Sequence, residues 1–452
     1  MLLRLRVQNF KNLRDVTVQF GPLTCFVGPN GVGKSNLFDA IQFLRALADK
    51  DIQTAAQEVR SPLSGRFGPR DLLWAGGAQG DTISFSADML VPWKVEDDFG
   101  RPGEPATTLL RYELDLRLVA EPASRLELTR ESLVGLKKGN AASHIGFPSS
   151  PGFRDTTVKA TRRVGDFIST KKEQGAAALY LHQDGGSRGQ PIPAGRSPRT
   201  VVGGTNANEY PTVLAARREM ASWRALHLEP SVMRAPDPFG GPAEVDERGG
   251  HIAAALERMQ RNEKREGQVL ADAANRLADL VPEVRTLRID RDEARQQLSV
   301  MAHVDGCQGE LGPRSLSDGT LRFLALVAML LDDTSGALLC MEEPENGIHP
   351  DRIPAVVALL RDYAVDPSQP VDEDNPARQV ILNTHSPDVV KQLQPSEILL
   401  VDAVDGPDGR TAQVSAVEGG WRKDGPLAAT RRVRDFAAGA PPGEAYQLRL
   451  FG

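Results

Sequence analysis

Alternating apolar and polar residues predict a pair of strands at the start of the chain. Leu3 to Phe10 and Val16 to Phe20 alternate with a period of two around a turn-like segment, residues 11–15. A more completely apolar strand follows at Leu23 to Val27 and ends at a glycine-rich turn. Apolar positions at near-helical spacing then run from Asn36 to Ala48. We therefore predict a strand, loop and helix unit after the first two strands.

The middle of the chain carries weaker patterns. Alternation predicts further strands at Thr82 to Leu90, Thr108 to Val119 and Arg125 to Leu133. Segments rich in Gly, Pro, Ser and Arg predict exposed loops at Gln183 to Asn208 and Ala235 to Glu244. Helical patterns occupy Pro211 to Leu228 and His251 to Leu280, and the charged face of the second is typical of a solvated helix side.

From Ser317 onward helices and strands alternate regularly. The predicted order is helix, strand, helix, strand and strand, at Gly319 to Leu331, Gly336 to Met341, Arg352 to Ala364, Gln379 to Asn383 and Glu397 to Asp402. Such alternation favours a parallel sheet covered by helices, so the predicted fold class is α/β.

Length and composition exclude several classes of protein. The 452 residues exceed the roughly 250 to 300 at which one hydrophobic core stops growing, so we expect more than one lobe. The longest apolar run, Phe323 to Leu331, is far shorter than the roughly 20 residues that cross a bilayer. The N-terminus lacks the apolar core of a secretory signal, which predicts a cytoplasmic protein without a membrane span. Three separated cysteines, Cys25, Cys307 and Cys340, suit neither a disulfide framework nor a metal site.

A phosphate-binding motif lies between the third strand and the first helix. Gly28, Pro29, Asn30, Gly31, Val32, Gly33, Lys34 and Ser35 satisfy the pattern G-x-x-x-x-G-K-[ST] in the strand-to-helix context that it requires. Glycines let backbone N–H groups approach phosphate oxygens, and the helix N-terminus adds positive potential. Lys34 is predicted to reach the β- and γ-phosphates, and the Ser35 hydroxyl to bind Mg²⁺.

Two adjacent carboxylates end the apolar strand that begins at Leu338. In a phosphate-loop fold the first acid, Glu342, faces Mg²⁺, and the second, Glu343, can orient and deprotonate an attacking water. Because neighbouring residues on a strand point to opposite faces, we expect the two acids to have different roles. The plainer alternative is a pair of solvated carboxylates at a strand end.

Two shorter motifs surround the acidic strand in the sequence. Leu316 to Thr320 precedes Glu342 and opens a helix, with Ser317 as its predicted N-cap. His385 follows the next apolar strand, at the edge where ligands bind in open α/β sheets. We interpret His385 as a γ-phosphate contact, whereas a lone histidine is more often structural.

These motifs, in this order, resemble those of the ATP-binding-cassette ATPases, and within them the head domains of the SMC, RecF and OLD-like group. The segment Val7 to Leu13 also looks like that group's first strand and turn, and Glu343 to Pro350 like its acidic strand end and following loop. The likeness is specific over residues 1–50 and 310–402 and diffuse between them.

The resemblance implies a P-loop NTPase of the ABC type, with a two-lobed head, a mixed or antiparallel N-terminal sheet and a helical, irregular insertion. We assign residues 1–130 to lobe I, 131–305 to the insertion and 306–452 to lobe II. ATP and Mg²⁺ are the implied ligands, held by residues 28–35 with Asn36, and by Ser35 and Glu342 for the metal. Ser317 and Gly319 of a second copy are expected to close over the same nucleotide, with Glu343 as the base and His385 as the phosphate sensor.

Two departures from the family pattern affect the metal site. Glu342 stands where the family usually has Asp, which leaves open whether it contacts Mg²⁺ directly or through water. The glutamine-loop residue has one thin candidate, Gln79.

The chain resembles a compact head rather than an armed one. The 282 positions that separate Ser35 from Ser317 contain no sustained heptad pattern. The 67 residues after His385 are fewer than a nuclease domain needs, so we expect any chemistry on nucleic acid to come from a partner effector, a nuclease or toxin.

Three hypotheses of function follow. The first is an ATPase that dimerises on ATP and regulates a partner effector in anti-phage defence, the second a RecF-like DNA-repair ATPase, and the third a nucleotide-gated scaffold that scarcely hydrolyses ATP. Residues 131–224 hold 14 Lys or Arg against 7 Asp or Glu, which suits either nucleic acid or a solubilising insertion. Whether nucleic acid binds, and whether dimers assemble further, stays open.

Overall fold

The computed structural model describes residues 1–59, 68–74, 81–119, 124–160, 165–173, 176–184, 189, 191–261, 267–333, 336–407 and 409–422. Gln79, the glutamine-loop candidate, lies outside these ranges. The described residues form two compact units. Unit 1 takes residues 1–223, 365–379 and those from 394 onward, and unit 2 takes 224–364 and 380–393. The division into lobes at residues 130 and 305 stays a prediction.

The strands are short to medium in length. They are β1 (Leu2–Phe10), β2 (Leu13–Gln19), β3 (Leu23–Val27), β4 (Thr82–Leu90), β5 (Val95–Glu96), β6 (Pro102–Gly103), β7 (Leu109–Val119), β8 (Arg125–Gly135), β9 (Asp166–Glu173), β10 (Ala176–Leu181), β11 (Ile192–Pro193), β12 (Trp223–Leu226), β13 (Asp237–Pro238), β14 (Val284–Asp292), β15 (Gln297–Val304), β16 (Glu310–Leu311), β17 (Leu338–Glu342), β18 (Gln379–Thr384), β19 (Ile398–Gly406) and β20 (Gly409–Ala416).

The helices are α1 (Lys34–Asp49), α2 (Ile52–Glu58), α3 (Ala141–Ile145), α4 (Pro151–Thr157), α5 (Val201–Gly204), α6 (Pro211–Ala221), α7 (Pro230–Met233), α8 (Ile252–Gln260), α9 (Val269–Leu280), α10 (Asp318–Leu331), α11 (Ile353–Tyr363) and α12 (Pro387–Val390). Within the described ranges, none of the helices is long and apolar enough to cross a membrane.

Unit 1 contains a large antiparallel sheet. Its eight strands run in the order β11-β10-β9-β8-β7-β4-β1-β2. The third strand, β3, instead pairs in parallel with β19, which pairs antiparallel with β20. Together these pairings confirm the expected α/β class with an antiparallel N-terminal sheet.

Aromatic packing fixes α1 in unit 1. Phe43 of α1 lies between Phe10 of β1 and Phe85 of β4, with ring centroids 6.0 and 5.7 Å away. Phe38 of the same helix contacts Phe26 of β3 edge to face. Such pairs add about 0.5 to 1.5 kcal/mol each beyond the area they bury. The helix that follows the phosphate loop is therefore anchored to the strand that precedes it.

Unit 2 contains a second, smaller set of strands with helices against it. Strands β13 to β16 form one sheet, in which β15 pairs with β13, β14 and β16. Strand β17 lies between β12 and β18. Helix α10 packs against α7, α8, α9 and α11. Every residue of α10 from Leu321 to Met329 is buried except Arg322. This helix is therefore the buried core of the helices in unit 2.

Most predicted elements near the motifs are confirmed, and three predictions from the middle of the chain are wrong. The helix predicted over 211–228 ends at Ala221, and residues 223–226 are the strand β12. The pattern predicted over 251–280 is two helices, α8 and α9, with residues 262–266 outside the described ranges. The loop predicted over 183–208 contains the short elements β11 and α5.

A buried carboxyl in unit 1 generates a prediction about pH. Glu131 of β8 is fully buried, and it accepts hydrogen bonds from the N–H groups of Val201 and Val202 and from the Tyr112 hydroxyl. Burial raises the pKa of its carboxyl to about 7, well above the usual range for glutamate. The folded state therefore binds a proton more tightly than the unfolded state. Its contribution to stability is complete below the unfolded pKa and is lost as pH rises through 7.

We expect Glu131→Gln to flatten the pH dependence of unfolding, because glutamine does not titrate. Thermal unfolding of both proteins between about pH 5 and 8 measures this, at about 1.4 kcal/mol per unit of pKa shift. Glu104→Gln, at an exposed position, is the control. Equal pH slopes for the parent and Glu131→Gln would contradict the assignment.

Candidate functional site

The phosphate loop of unit 1 has the backbone that its glycines allow. Gly31 and Gly33 have φ values of 78° and 113°, in the left-handed region that favours glycine. At Gly28 the reason is space instead, because a Cβ there would lie 2.2 Å from the carbonyl oxygen of Val401 in β19. Two different constraints therefore select the glycines of this motif.

Lys34 lies along the loop that precedes it. Its side chain is buried, and its Nζ donates to the carbonyl oxygens of Gly28 and Pro29 at 2.5 and 2.8 Å. The lysine thus ties the first turn of α1 to the start of the loop. An ammonium held there is the point charge that phosphate-loop lysines provide.

The turn between β1 and β2 supports the loop from the other side. The Asn12 side chain donates to the Val32 carbonyl at 3.0 Å and accepts from the Asn36 amide at 2.8 Å. It fills the space beside Gly33, where a Cβ would lie 2.4 Å from the Asn12 amide nitrogen. Sequence reasoning predicted this turn but missed its contact with the loop, because the contact joins residues 20 and more positions apart.

A buried ion pair fixes the same turn to α1. Lys11 Nζ lies 2.6 Å from Asp39 Oδ2, and both side chains are nearly inaccessible to solvent. Removing one partner of such a pair leaves an uncompensated buried charge, which costs about 3 to 5 kcal/mol. The turn therefore has a defined position relative to the first helix.

In unit 2 the two predicted acids occupy different backbone environments. Glu342 ends β17, and its Oε1 accepts from the Asn383 side chain at 3.2 Å. Glu343 has left the strand with φ at 48°, and its N–H donates to the Asn383 carbonyl at 2.9 Å. The expected alternation along a strand does not apply to this pair, because Glu343 lies after the end of β17 in a left-handed conformation.

The predicted base contacts the predicted sensor. Glu343 Oε1 lies 2.9 Å from His385 Nδ1, and Glu343 Oε2 accepts from the Asn346 amide at 2.7 Å. A left-handed conformation at a residue other than glycine costs about 1 to 3 kcal/mol and is found mainly at functional sites. Contacts to both carboxylate oxygens hold Glu343 in this conformation.

Glu345 is a third acid of this segment, and sequence reasoning gave it no role. Its Oε1 accepts from the Thr384 hydroxyl at 2.7 Å, and burial raises the pKa of its carboxyl. Thr384 precedes His385, so this bond joins the loop after β17 to the end of β18. The signal was present in the sequence as a third carboxylate directly after Pro344.

The signature segment, Leu316 to Thr320, begins α10. Ser317 Oγ accepts from the Thr320 N–H at 3.1 Å, which confirms it as the N-cap. Gly319 is buried, and a Cβ there would lie 2.9 Å from the carbonyl oxygen of Gly347. The glycine thus allows α10 to approach the loop that contains Asn346. Whether Ser317 and Gly319 contact a nucleotide stays a prediction.

The predicted metal ligands, Ser35 and Glu342, suit Mg²⁺ bound to a nucleotide better than a metal ion held by protein alone. The described part of the chain has no cluster of three or more His, Cys, Asp or Glu that could hold a metal. Mg²⁺ is usually bound by one or two protein oxygens together with substrate phosphates. The Ser35 hydroxyl and the Glu342 carboxylate are oxygen donors of this kind.

The arrangement of unit 1 defines a nucleotide-binding P-loop protein, and comparisons with known proteins refine this class. The family model described as "AAA ATPase domain" matches residues 1–66, and the model described as "AAA domain, putative AbiEii toxin, Type IV TA system" matches residues 214–391.

Similar curated proteins share short segments with the chain. An OLD nuclease of Thermus scotoductus is 50% identical over 44 residues, 10% of this chain and 8% of that protein. A RecF DNA replication and repair protein of Bacteroides thetaiotaomicron is 39% identical over 61 residues, 13% and 16% of the two chains. Structural maintenance of chromosomes protein 1 of Schizosaccharomyces pombe is 44% identical over 55 residues, 12% and 4%. The matches therefore span less than a fifth of each relative.

Among solved structures, an SMC head bound to the C-winged helix domain of ScpA aligns with a TM-score of 0.46 and 12% identity, over 92% of this chain and 98% of that one. The SMC head domain from Thermotoga maritima aligns at 0.37 and 14%, over 92% and 99%. The chain is therefore similar to AAA ATPase domains over residues 1–66 and 214–391, and over short segments to OLD, RecF and SMC proteins.

The contacts of Asn12 generate a prediction about the phosphate loop. Asn12→Ala removes both side-chain hydrogen bonds, and at about 1 kcal/mol each we expect the affinity for a fluorescent ATP analogue to fall at least tenfold. Equilibrium titration of the purified protein measures this. Gln8→Ala is the control, because Gln8 lies on the same hairpin and bonds only to the exposed Asp15. Equal affinities for the two variants would show that the turn does not position the loop.

Proposed function

We propose that the chain hydrolyses ATP and that ATP closes two copies of it into a homodimer. The observation that carries the proposal is Glu343, directly after the predicted metal ligand Glu342. Its backbone is left-handed, and its carboxylate contacts His385 and Asn346. A carboxylate with this support can accept a proton from an attacking water, which is worth about 10² to 10⁴ in rate. His385 is the group that positions it and, when nucleotide is bound, senses the γ-phosphate.

The other residues of the proposed site bind rather than react. The backbone N–H groups of residues 28 and 30–36 would hold the phosphates, and Lys34 would balance their charge. Ser35 and Glu342 would hold Mg²⁺, which neutralises charge that develops on the transferred phosphoryl group. We assign the phosphate loop and Glu343 to the same reaction because their motifs follow one another in the order that the resemblance implies.

The proposed dimerisation rests on the N-terminus of α10. Its first turn carries N–H groups at an N-terminus capped by Ser317, which suits an anion. We propose that this turn contacts the nucleotide of a second copy. ATP would then join the two copies and hydrolysis would release them.

Control of a partner effector is the finer part of the proposal. The description of the family that matches residues 214–391 names a toxin of a type IV toxin–antitoxin system, and one relative over a short segment is an OLD nuclease. Both descriptions suit a cytoplasmic ATPase that regulates a toxin or nuclease, as in anti-phage defence.

The alternative, a RecF-like DNA-repair ATPase, rests on the RecF match and on the basic segment 131–224. Part of the positive charge of that segment is neutralised by ion pairs. Arg217, Arg218 and Arg224 pair with Asp49, Asp98 and Glu244, all outside the segment. Three of its surplus positive charges are thus neutralised. Tight duplex binding that falls steeply with salt would favour this alternative.

We expect Glu343→Gln to bind ATP, form a stable dimer and turn over at least a hundredfold more slowly than the parent, because the amide cannot accept the proton. Phosphate release measures the rate, and light scattering with and without ATP measures the mass.

Glu293→Gln is the matched control, an exposed acid of unit 2 in the β14–β15 turn. Parent-like turnover by Glu343→Gln would exclude Glu343 as the base. A parent that binds ATP and never hydrolyses it would instead support the nucleotide-gated scaffold.

A further inference from the structure

The arginine directly after α7 contacts the signature segment. Arg234 follows the buried Met233, and its Nη2 donates to the Leu316 carbonyl at 3.1 Å and to Asp318 Oδ1 at 2.5 Å. The Arg234 side chain is 28% exposed and that of Asp318 is 53% exposed. The pair therefore lies at the surface where α10 begins, and it joins residues 84 positions apart.

Asp318 favours the formation of α10 but opposes the binding of a triphosphate at the N-terminus of this helix. As the first residue of α10, its carboxylate favours the helix by interacting with the N-terminal dipole. The same negative charge opposes the approach of a triphosphate to the N–H groups of that turn. Two unit charges about 6 Å apart interact by roughly 1 kcal/mol even at high dielectric, and a triphosphate carries several.

We propose that Arg234 is a positioning residue that neutralises Asp318, so that the signature segment accepts the triphosphate held by a second copy of the chain. This inference rests on the proposed function and deepens it. The Arg234 guanidinium also holds the Leu316 carbonyl, which fixes the turn in front of Ser317. The structure thus provides both charge balance and a fixed geometry at the helix end.

The proposed role of Arg234 can be tested by substituting Arg234 and Asp318 singly and together. If Arg234 acts chiefly by neutralising Asp318, removing both charges restores most of what removing the arginine destroys, and only the bond to the Leu316 carbonyl stays lost. If Arg234 instead contacts the nucleotide directly, removing Asp318 restores nothing. A double-mutant cycle separates these cases because the two residues are in direct contact.

The cycle is measured in the Glu343→Gln background, with mass photometry at increasing ATP concentration. We expect Arg234→Gln to raise the ATP concentration for half-maximal dimerisation about tenfold, and Asp318→Asn to lower it. The double variant is expected within about threefold of the Glu343→Gln protein. Binding of a fluorescent ATP analogue to the dilute protein checks that each variant keeps its phosphate loop.

Arg285→Gln is the matched control, because Arg285 forms a similar exposed pair with Asp305 on unit 2, 2.5 Å apart. A double variant as defective as Arg234→Gln overturns the inference and leaves the proposed function standing. If Glu343→Gln itself never dimerises on ATP, the proposed function fails, and this inference fails with it.

Discussion

Phosphate oxygens must be met by backbone N–H groups that no side chain obstructs, and the organisation of unit 1 follows from this constraint. Two left-handed glycines, Gly31 and Gly33, form the loop, and Gly28 allows β19 to approach it. Such a loop has little packing of its own. Its geometry depends on Lys34, which bonds back to the loop carbonyls, and on Asn12, which holds it from the neighbouring turn.

In unit 2, neighbouring residues fix the position of a carboxylate in the same way. Glu343 is useful as a base only if its oxygens have a fixed direction, and it lies at a strand end where the chain could adopt several conformations. The Asn383 carbonyl fixes its backbone, while His385 and Asn346 fix its side chain. Asn346 lies in the loop that Gly319 allows α10 to approach, so the proposed base and the signature segment contact the same loop.

Local sequence predicted the elements around the motifs well, since strong period-two alternation and a glycine-rich loop between strand and helix leave few alternatives. It failed where the pattern was weak. Residues 223–226 continue the apolar pattern of α6, yet form β12, which pairs with β17 in the sheet. This pairing is long-range, so local periodicity does not predict it. The hairpins β9–β10 and β14–β15 were missed, because the charged residues of β9 and β14 mask the alternation in the first strand of each.

The supporting residues of the site were less predictable than the motifs. Asn12, Asn346 and Arg234 act through contacts that depend on tertiary structure, and no short pattern identifies them. Arg234 and Asp318 are 84 positions apart, so their pairing follows only from the packing of α7 against α10. Chemistry-bearing side chains can be recognised by type and spacing, whereas the residues that orient them are recognised by contact.

The central claim, that each copy lends its signature segment to the nucleotide of the other, is tested most directly by mixing two inactive variants. Lys34→Ala lacks a working phosphate loop and Ser317→Arg lacks a working signature segment, so a mixed dimer has one site with both parts intact. Random pairing of equal amounts predicts recovery of about a quarter of the parent ATPase activity. No recovery at any mixing ratio, with both variants folded, would contradict the account.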